Sequence, residues 1–192
     1  MLKAQQQGLA GGTVRGNFQL DVQTYQEDKD IGITDSTING KKAAMNAFGK
    51  IIYTNGNFSA GMRFEAYLKP LNGFEADYEG IGIPYRFARY NSKFADITVG
   101  NFYEQFGSGL IFRSYQEWNL GYDNSVDGIR AIINPLPGIK IKGIYGSQRY
   151  YWEKYGDSDR GIIRGLDAEF SLNDLIPGME ESMSRILLGA SM

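Results

Sequence analysis

The chain has 192 residues, 20 basic against 22 acidic side chains, and neither cysteine nor histidine. That excludes a disulfide framework, a Cys/His metal site and every serine–histidine, cysteine–histidine or imidazole acid/base mechanism. A net charge of −2 argues against a nucleic-acid binder held by a broad basic face, and no stretch reaches the roughly 18 apolar residues of a membrane helix.

A mean hydropathy of −0.35 looks soluble, but such an average conceals any segment whose apolar and polar residues alternate. Residues 13–25, TVRGNFQLDVQTY, alternate strictly: Val14, Phe18, Leu20 and Val22 on one parity, Arg15, Asn17, Gln19, Asp21 and Gln23 on the other. Period two predicts a strand with one greasy and one wet face. Residues 43–55 follow with Met45, Ala47, Ile51 and Tyr53 on the apolar parity, although Phe48 and Ile52 blur the polar one. Asn55-Gly56-Asn57 then predicts a tight hairpin, because Asn-Gly tolerates positive φ. Residues 57–68 set Phe58, Met62, Phe64 and Leu68 against Arg63 and Glu65.

A shorter strand is expected over 83–90, broken early by Pro84, with a turn at 91–93 and a strand over 94–103. Strands over 126–134 and 139–148 flank a compact turn at 135–138. A strand over 161–172 comes next, and a ninth begins near Met183. Short links alternate with long polar ones at 26–42, 69–82, 104–124 and 149–160. Short on one side and long on the other is the connection pattern of an outer-membrane barrel, and a soluble sandwich has no reason to sort its loops this way.

The wet parity carries charges of both signs deep within strands: Arg15, Asp21, Lys50, Arg63, Glu65, Asp96, Arg130, Lys142, Asp167 and Glu169. Such a face lines a water-filled lumen while the opposite parity meets lipid. Aromatics near strand ends, Tyr25, Tyr53, Phe58, Tyr67, Phe94, Tyr150, Tyr151 and Phe170, are placed as interface girdles are. The expected fold is all-β, an antiparallel up-and-down transmembrane β-barrel; the alternative is a soluble antiparallel sheet packing its apolar face inward. Arg164 falls on the apolar parity, so either it sits at an outer rim near lipid phosphates or Gly165 bulges and shifts the phase.

Five stretches carry a resemblance: QEDKDIG at 26–32, IIYTNGNFSAGMRFEAYL at 51–68, ITVGNFYEQFGSGLIFRSYQEW at 97–118, LGYDNSVDGIR at 120–130 and IKGIYGSQR at 141–149. Together they resemble an uncharacterised, domain-of-unknown-function family of Bacteroidota outer-membrane proteins, the block 97–130 being the most specific. The resemblance implies a porin-like barrel in the outer membrane and brings no catalytic residues. Members of that family are longer and end in an aromatic, whereas this sequence ends ILLGASM. Eight strands and the start of a ninth also sit awkwardly with the even counts of single-chain bacterial barrels. The expectation is therefore an N-terminal portion of a larger barrel. Residues 1–12 would form a lead (Leu2-Lys3-Ala4 before Gln5 as a signal-peptide remnant) and 13–192 the barrel portion.

The most site-like segment is 104–124, which joins glycines 107 and 109 to Arg113, Tyr115, Glu117, Trp118 and Asp123. Folded inward it would constrict a pore, with Arg113 and Glu117 setting selectivity; otherwise it is a surface loop whose aromatics pack on the rim. Its Gly-Ser-Gly is no phosphate loop, since no Gly-Lys-Ser/Thr follows. The acidic runs from Asp28 and Asp157 lack the distal glutamate of a calcium loop, the twelfth positions being Asn39 and Ala168. Arg63 and Glu65 read as part of an ion-pair ladder rather than an acid/base pair. No enzyme activity, cofactor, metal or nucleic acid is expected. The expected role is a porin-like channel or transport barrel, with outer-membrane lipid and small solutes as partners. The alternative is a non-conducting scaffold whose surface loops bind a partner or glycan. A lumen filled by ion pairs would favour the scaffold.

Overall fold

The computed structural model describes residues 11–32, 34, 43–71, 74, 78–117, 121–149 and 161–192. Nine strands form one antiparallel sheet: β1 (Thr13–Thr24), β2 (Ala43–Asn55), β3 (Phe58–Leu68), β4 (Gly80–Asn91), β5 (Ala95–Phe102), β8 (Val126–Ile133), β9 (Ile139–Gln148), β10 (Ile162–Ser171) and β11 (Leu187–Ser191). They pair in chain order, each with its sequence neighbour, so the topology is up-and-down. The sheet is open: β1 and β11 stand at its two edges and do not pair with each other. A separate two-stranded ribbon, β6 (Gln116–Glu117) with β7 (Tyr122–Asp123), lies in the long link between β5 and β8. No helix among the described residues is long and apolar enough to cross a membrane.

The expected alternation is realised with its faces inverted relative to a soluble sheet. Side chains in register across the apolar face, such as Phe18, Gly49 and Phe64, or Val99, Ile129 and Tyr145, stand out from the molecule. Phe18 is 70% exposed and Leu20 51%, whereas Glu65 is fully buried and Asp167 is 1% exposed. Charged side chains are almost never buried this deeply unless paired, and large apolar ones are seldom displayed across a whole sheet in a soluble monomer.

Three local features set the pattern. Phe64 faces two residues, Ile83 and Pro84, because the register moves from Arg63↔Tyr85 to Glu65↔Gly82. Proline has no N–H to give to the ladder, and the bulge absorbs it. The bulge also reverses the parity of β4: Ile81 and Ile83 point out before it, while Tyr85 and Arg89 point to the polar face after it. Strand β4 accordingly starts at Gly80, earlier than the period-two reading placed it. Second, Phe48 and Ile52, which blurred the polar parity of β2, do face the polar side. Phe48 packs edge-on against Tyr67, ring centroids 5.5 Å apart, in a cluster with Tyr78 and Phe74. Tyr67 is therefore an interior side chain and not part of an interface girdle. Third, β10 keeps an unbroken register through Gly165↔Ile144, so there is no bulge there, and Arg164 projects from the apolar face opposite Tyr145.

The links 56–57, 92–94, 134–138 and 172–186 lie at one end of the sheet, and 25–42, 69–79, 103–125 and 149–161 at the other. The expected sorting by length fails at 172–186, which holds a one-turn helix, α1 (Leu172–Leu175), and is longer than 69–79 because β11 begins at Leu187, later than expected. Asn173 organises this turn: its Nδ2 donates to the Met179 and Ser184 carbonyls and its Oδ1 accepts from Ile186 N, each at 2.9 Å. Residues 1–10, 150–160, Trp118 and Asn39 lie outside the described residues, and so do the expected lead up to residue 10, the aromatics Tyr150 and Tyr151, and most of the acidic run from Asp157.

Candidate functional site

The polar face holds two chains of ion pairs. The first gathers at the long-link end. Arg63 Nε lies 2.6 Å from Glu65 Oε1, two residues along the same strand and hence on the same face. Arg149, just past β9, reaches Glu65 Oε2 at 2.9 Å and Asp123 Oδ2 at 2.8 Å. Arg63 Nη2 also pairs with Asp123. Two guanidiniums thus face two carboxylates, every member at least nine-tenths buried. Polar neighbours complete the group: Tyr103 OH donates to Asp123 Oδ1 at 2.9 Å, Ser125 N donates to the same oxygen at 3.1 Å, and Arg63 Nη1 donates to Gln116 Oε1 at 3.1 Å. Arg63 sits over the Tyr85 ring, 4.8 Å from its centroid, and Arg149 lies 5.7 Å from that of Tyr78.

Outside the strands, three of these groups have displaced acid–base behaviour. Burial pushes the Tyr103 phenol well above its ordinary range, and the Asp123 charge adds to it. Burial likewise raises Tyr78. For Arg149 burial works against the charge, but the Glu65 and Asp123 carboxylates outweigh it and hold the guanidinium protonated.

The second chain crosses five strands. Arg89 on β4 grips Asp96 with two bonds of 2.7 Å; Asp96 also takes Arg130 at 2.8 Å, and Arg130 reaches Glu104 at 3.3 Å. Lys142 lies 3.7 Å from Glu104, 3.3 Å from Asp167 and 3.1 Å from Glu169, and Lys140 meets Glu169 at 3.4 Å. Lys142 is directly opposite Asp167 in the register, and Lys140 opposite Glu169, so sheet pairing itself supplies the proximity. Four cations match four anions, which leaves the chain neutral.

Of the ten lumen charges expected from parity, Arg63, Glu65, Asp96, Arg130, Lys142, Asp167 and Glu169 enter these two chains. Arg15, Asp21 and Lys50 stay apart on β1 and β2; Arg15 and Lys50 are exposed, and Asp21 accepts from Gln19 at 2.8 Å. Lys140, on the wet parity of β9, is also outside the expected ten. Beyond it, sequence reading missed Arg89, Glu104 and Arg149. The parity reversal at Pro84 hid the first, and the other two lie just outside strands, where period two carries no signal.

The segment between β5 and β8 folds onto the polar face. Phe106 is buried against Phe102, Val126 and Ile144. Gly165 permits this, since a Cβ there would lie 2.6 Å from the Phe106 ring. Lys142 Nζ donates to the Gln105 carbonyl at 3.0 Å, Ser114 N donates to Glu104 O at 2.8 Å, and Tyr115 N donates to Asn124 Oδ1 at 2.6 Å. Among the five residues expected at a constriction, Asp123 is the one the fold brings against the charged wall. Glu117 lies in the β6–β7 ribbon, and Arg113 is exposed and stacks over Tyr115 at 4.6 Å. Trp118 lies outside the described residues. The turn 107–111 overhangs a cleft of about 470 Å³ floored by Asp167, Glu169, Leu187 and Ser191. Among the described residues, no group of three or more acidic side chains is placed to hold a metal ion, and Asp28 serves a local turn by accepting from Asp30 N at 3.0 Å.

The sequence model of a family of unknown function, DUF6029, matches residues 1–192, and the chain belongs to that family. No curated protein matches it.

Proposed function

We propose that this DUF6029 member contributes nine strands to a transmembrane β-barrel of the bacterial outer membrane, porin-like in layout, through which small hydrophilic solutes pass along a charge-balanced interior. One observation carries the reading: large apolar side chains stand outward on all nine strands, while paired charges fill the opposite face. In water this arrangement is unfavourable on both counts. In a bilayer it is the favoured one, because lipid takes the apolar face and the ion pairs satisfy one another within. Three of the four links at one end of the sheet are tight turns, which supports the same reading, with that end in the periplasm and the other at the outer surface. The likeness of five sequence stretches to Bacteroidota outer-membrane proteins points to the same membrane.

The open part of the polar face lies along β1 and β2, where Arg15, Asn17, Gln19 and Lys50 are exposed. The part from β3 to β10 is occupied by ion pairs and the folded-in segment, so a passage would run beside β1 and β2. That same filling is the observation that favours the second reading, a non-conducting scaffold that presents its long links to a surface partner.

Planar-bilayer conductance under a salt gradient separates the two. The channel reading expects discrete conductance steps with a reversal potential shifted toward anion preference, because the passage beside β1 and β2 is lined by the exposed cations Arg15 and Lys50 against Asp21. A well-assembled protein that gives no conductance overturns the channel and leaves the scaffold.

A further inference from the structure

We propose that Arg63 and Arg149 form a seat for a solute carboxylate, occupied in this closed arrangement by the carboxylate of Asp123 and opened when the segment bearing Asp123 lifts away. As a station for solutes the seat rests on the barrel reading above; as an anion site it stands on its own geometry.

Arg63 and Arg149 on the wall, with Tyr103 and Ser125 next to the segment's two feet, build the seat, and Asp123 on the ribbon β6–β7 fills it. Arg63 comes from β3 and Arg149 from the end of β9, distant in sequence and converging on one carboxylate. Each oxygen of that carboxylate is matched: Oδ2 takes both guanidiniums, and Oδ1 takes Tyr103 OH at 2.9 Å and Ser125 N at 3.1 Å. Planar guanidinium forks recognise a carboxylate by geometry as well as by charge.

Charge gives the seat its selectivity. Glu65 neutralises only one of the two guanidiniums, so without Asp123 the buried site carries a net positive charge, and an uncompensated buried charge is strongly unfavourable. The vacated seat therefore either takes an anion or admits water. The ribbon β6–β7, which bears Asp123, is the part that leaves: Glu104, which joins Arg130 to Lys142, stays on the wall, and the segment's two feet, Phe102 and Val126, are directly paired neighbours in the sheet. Lifting the ribbon costs the contacts it makes with the polar face.

The cysteine-free chain allows a direct test. Gln116, whose side chain meets Arg63 at the seam, is changed to cysteine, and its labelling by a maleimide is timed in the full chain assembled in vesicles. In this background Asp123→Ala is expected to speed labelling by about a hundredfold. Formate, which replaces the missing carboxylate, should slow it again in a concentration-dependent way, whereas formamide, of like size but uncharged, should not. Asp123→Ser, which likewise removes the carboxylate and leaves room for formate, carries the same comparison should the alanine variant not assemble. Labelling no faster than in the parent overturns the latch, and equal effects of formate and formamide overturn the anion seat. A formate-dependent labelling rate in a protein that never conducts would overturn the barrel passage while leaving the seat in place.

Discussion

At the scale of the residue, two glycines of the β8–β9 pair, Gly128 on the polar face and Gly143 on the apolar one, make opposite predictions. Gly128 and Gly146 face each other across β8 and β9, and a Cβ on Gly128 would lie 2.1 Å from the Tyr145 carbonyl oxygen and 2.5 Å from Gly146 Cα. Those neighbours are backbone and cannot swing aside. Gly128→Ala is therefore expected to cost about 1–3 kcal/mol through overpacking. At Gly143, on the same pair of strands, an added Cβ meets nothing within 4 Å, so Gly143→Ala should leave stability nearly unchanged. Denaturant midpoints of the two variants in one detergent or vesicle system check both. The buried charges follow the complementary logic: Glu65 and Asp167 tolerate full burial because each has a cation within 3.3 Å.

At the scale of the element, the strands set large apolar side chains on one face and all but one of the ion pairs named on the described strands on the other, Arg86 and Asp127 meeting at 3.2 Å on the apolar side. Ile129 lies mid-strand on β8 and is 48% exposed, between Val99 and Tyr145 in the outward row. If that face meets hydrocarbon, Ile129→Arg is expected to cost about 2–4 kcal/mol near the bilayer midplane. If it meets water, the same change is a surface substitution worth within about 0.5 kcal/mol. Folding titrations into vesicles distinguish the two. Arg164 stands in the same row as Ile129, each paired with Tyr145, two residues into β10 from Ile162. The bulge at Pro84 is the other element-scale device: by adding one residue it turns Tyr85 toward Arg63 and brings Arg89 to Asp96, and without it both would project to the apolar side.

At the scale of the whole molecule, the open sheet is the dominant fact. The outer edges of β1 and β11 carry backbone groups with no ladder partner, and in hydrocarbon each unpaired group costs several kcal/mol. A bilayer-embedded form must therefore cover both edges, by pairing them with each other or with further strands. Hydrogen exchange on the membrane-assembled protein is expected to find consecutive β1 amides protected alike, both those directed at β2 and those directed away from it. Protection of alternate β1 amides only would mean that the edge stays bare, and the transmembrane barrel reading would fail.

Read alone, the sequence determines most of the strands, their order and the division of their faces, but not the parity reversal at Pro84, the β6–β7 ribbon or the start of β11 at Leu187. Strict alternation in TVRGNFQLDVQT or FSAGMRFEAYL leaves a helix no continuous apolar stripe, and Asn55-Gly56 and the proline–glycine turn at 135–138 limit the choice of link. It also brings out most of the buried charges, since parity is a local property and seven of them stand on the wet parity of regular strands. Tertiary structure decided what parity cannot express. Only the sheet brings Arg149 to Glu65 across 84 positions, and only the inward fold of the segment after β5 makes Asp123, rather than Arg113, its contact with the charged wall. Alternation specifies which side of a strand a residue faces. Which charges meet on that side depends on where the chain returns, and long-range packing alone sets that.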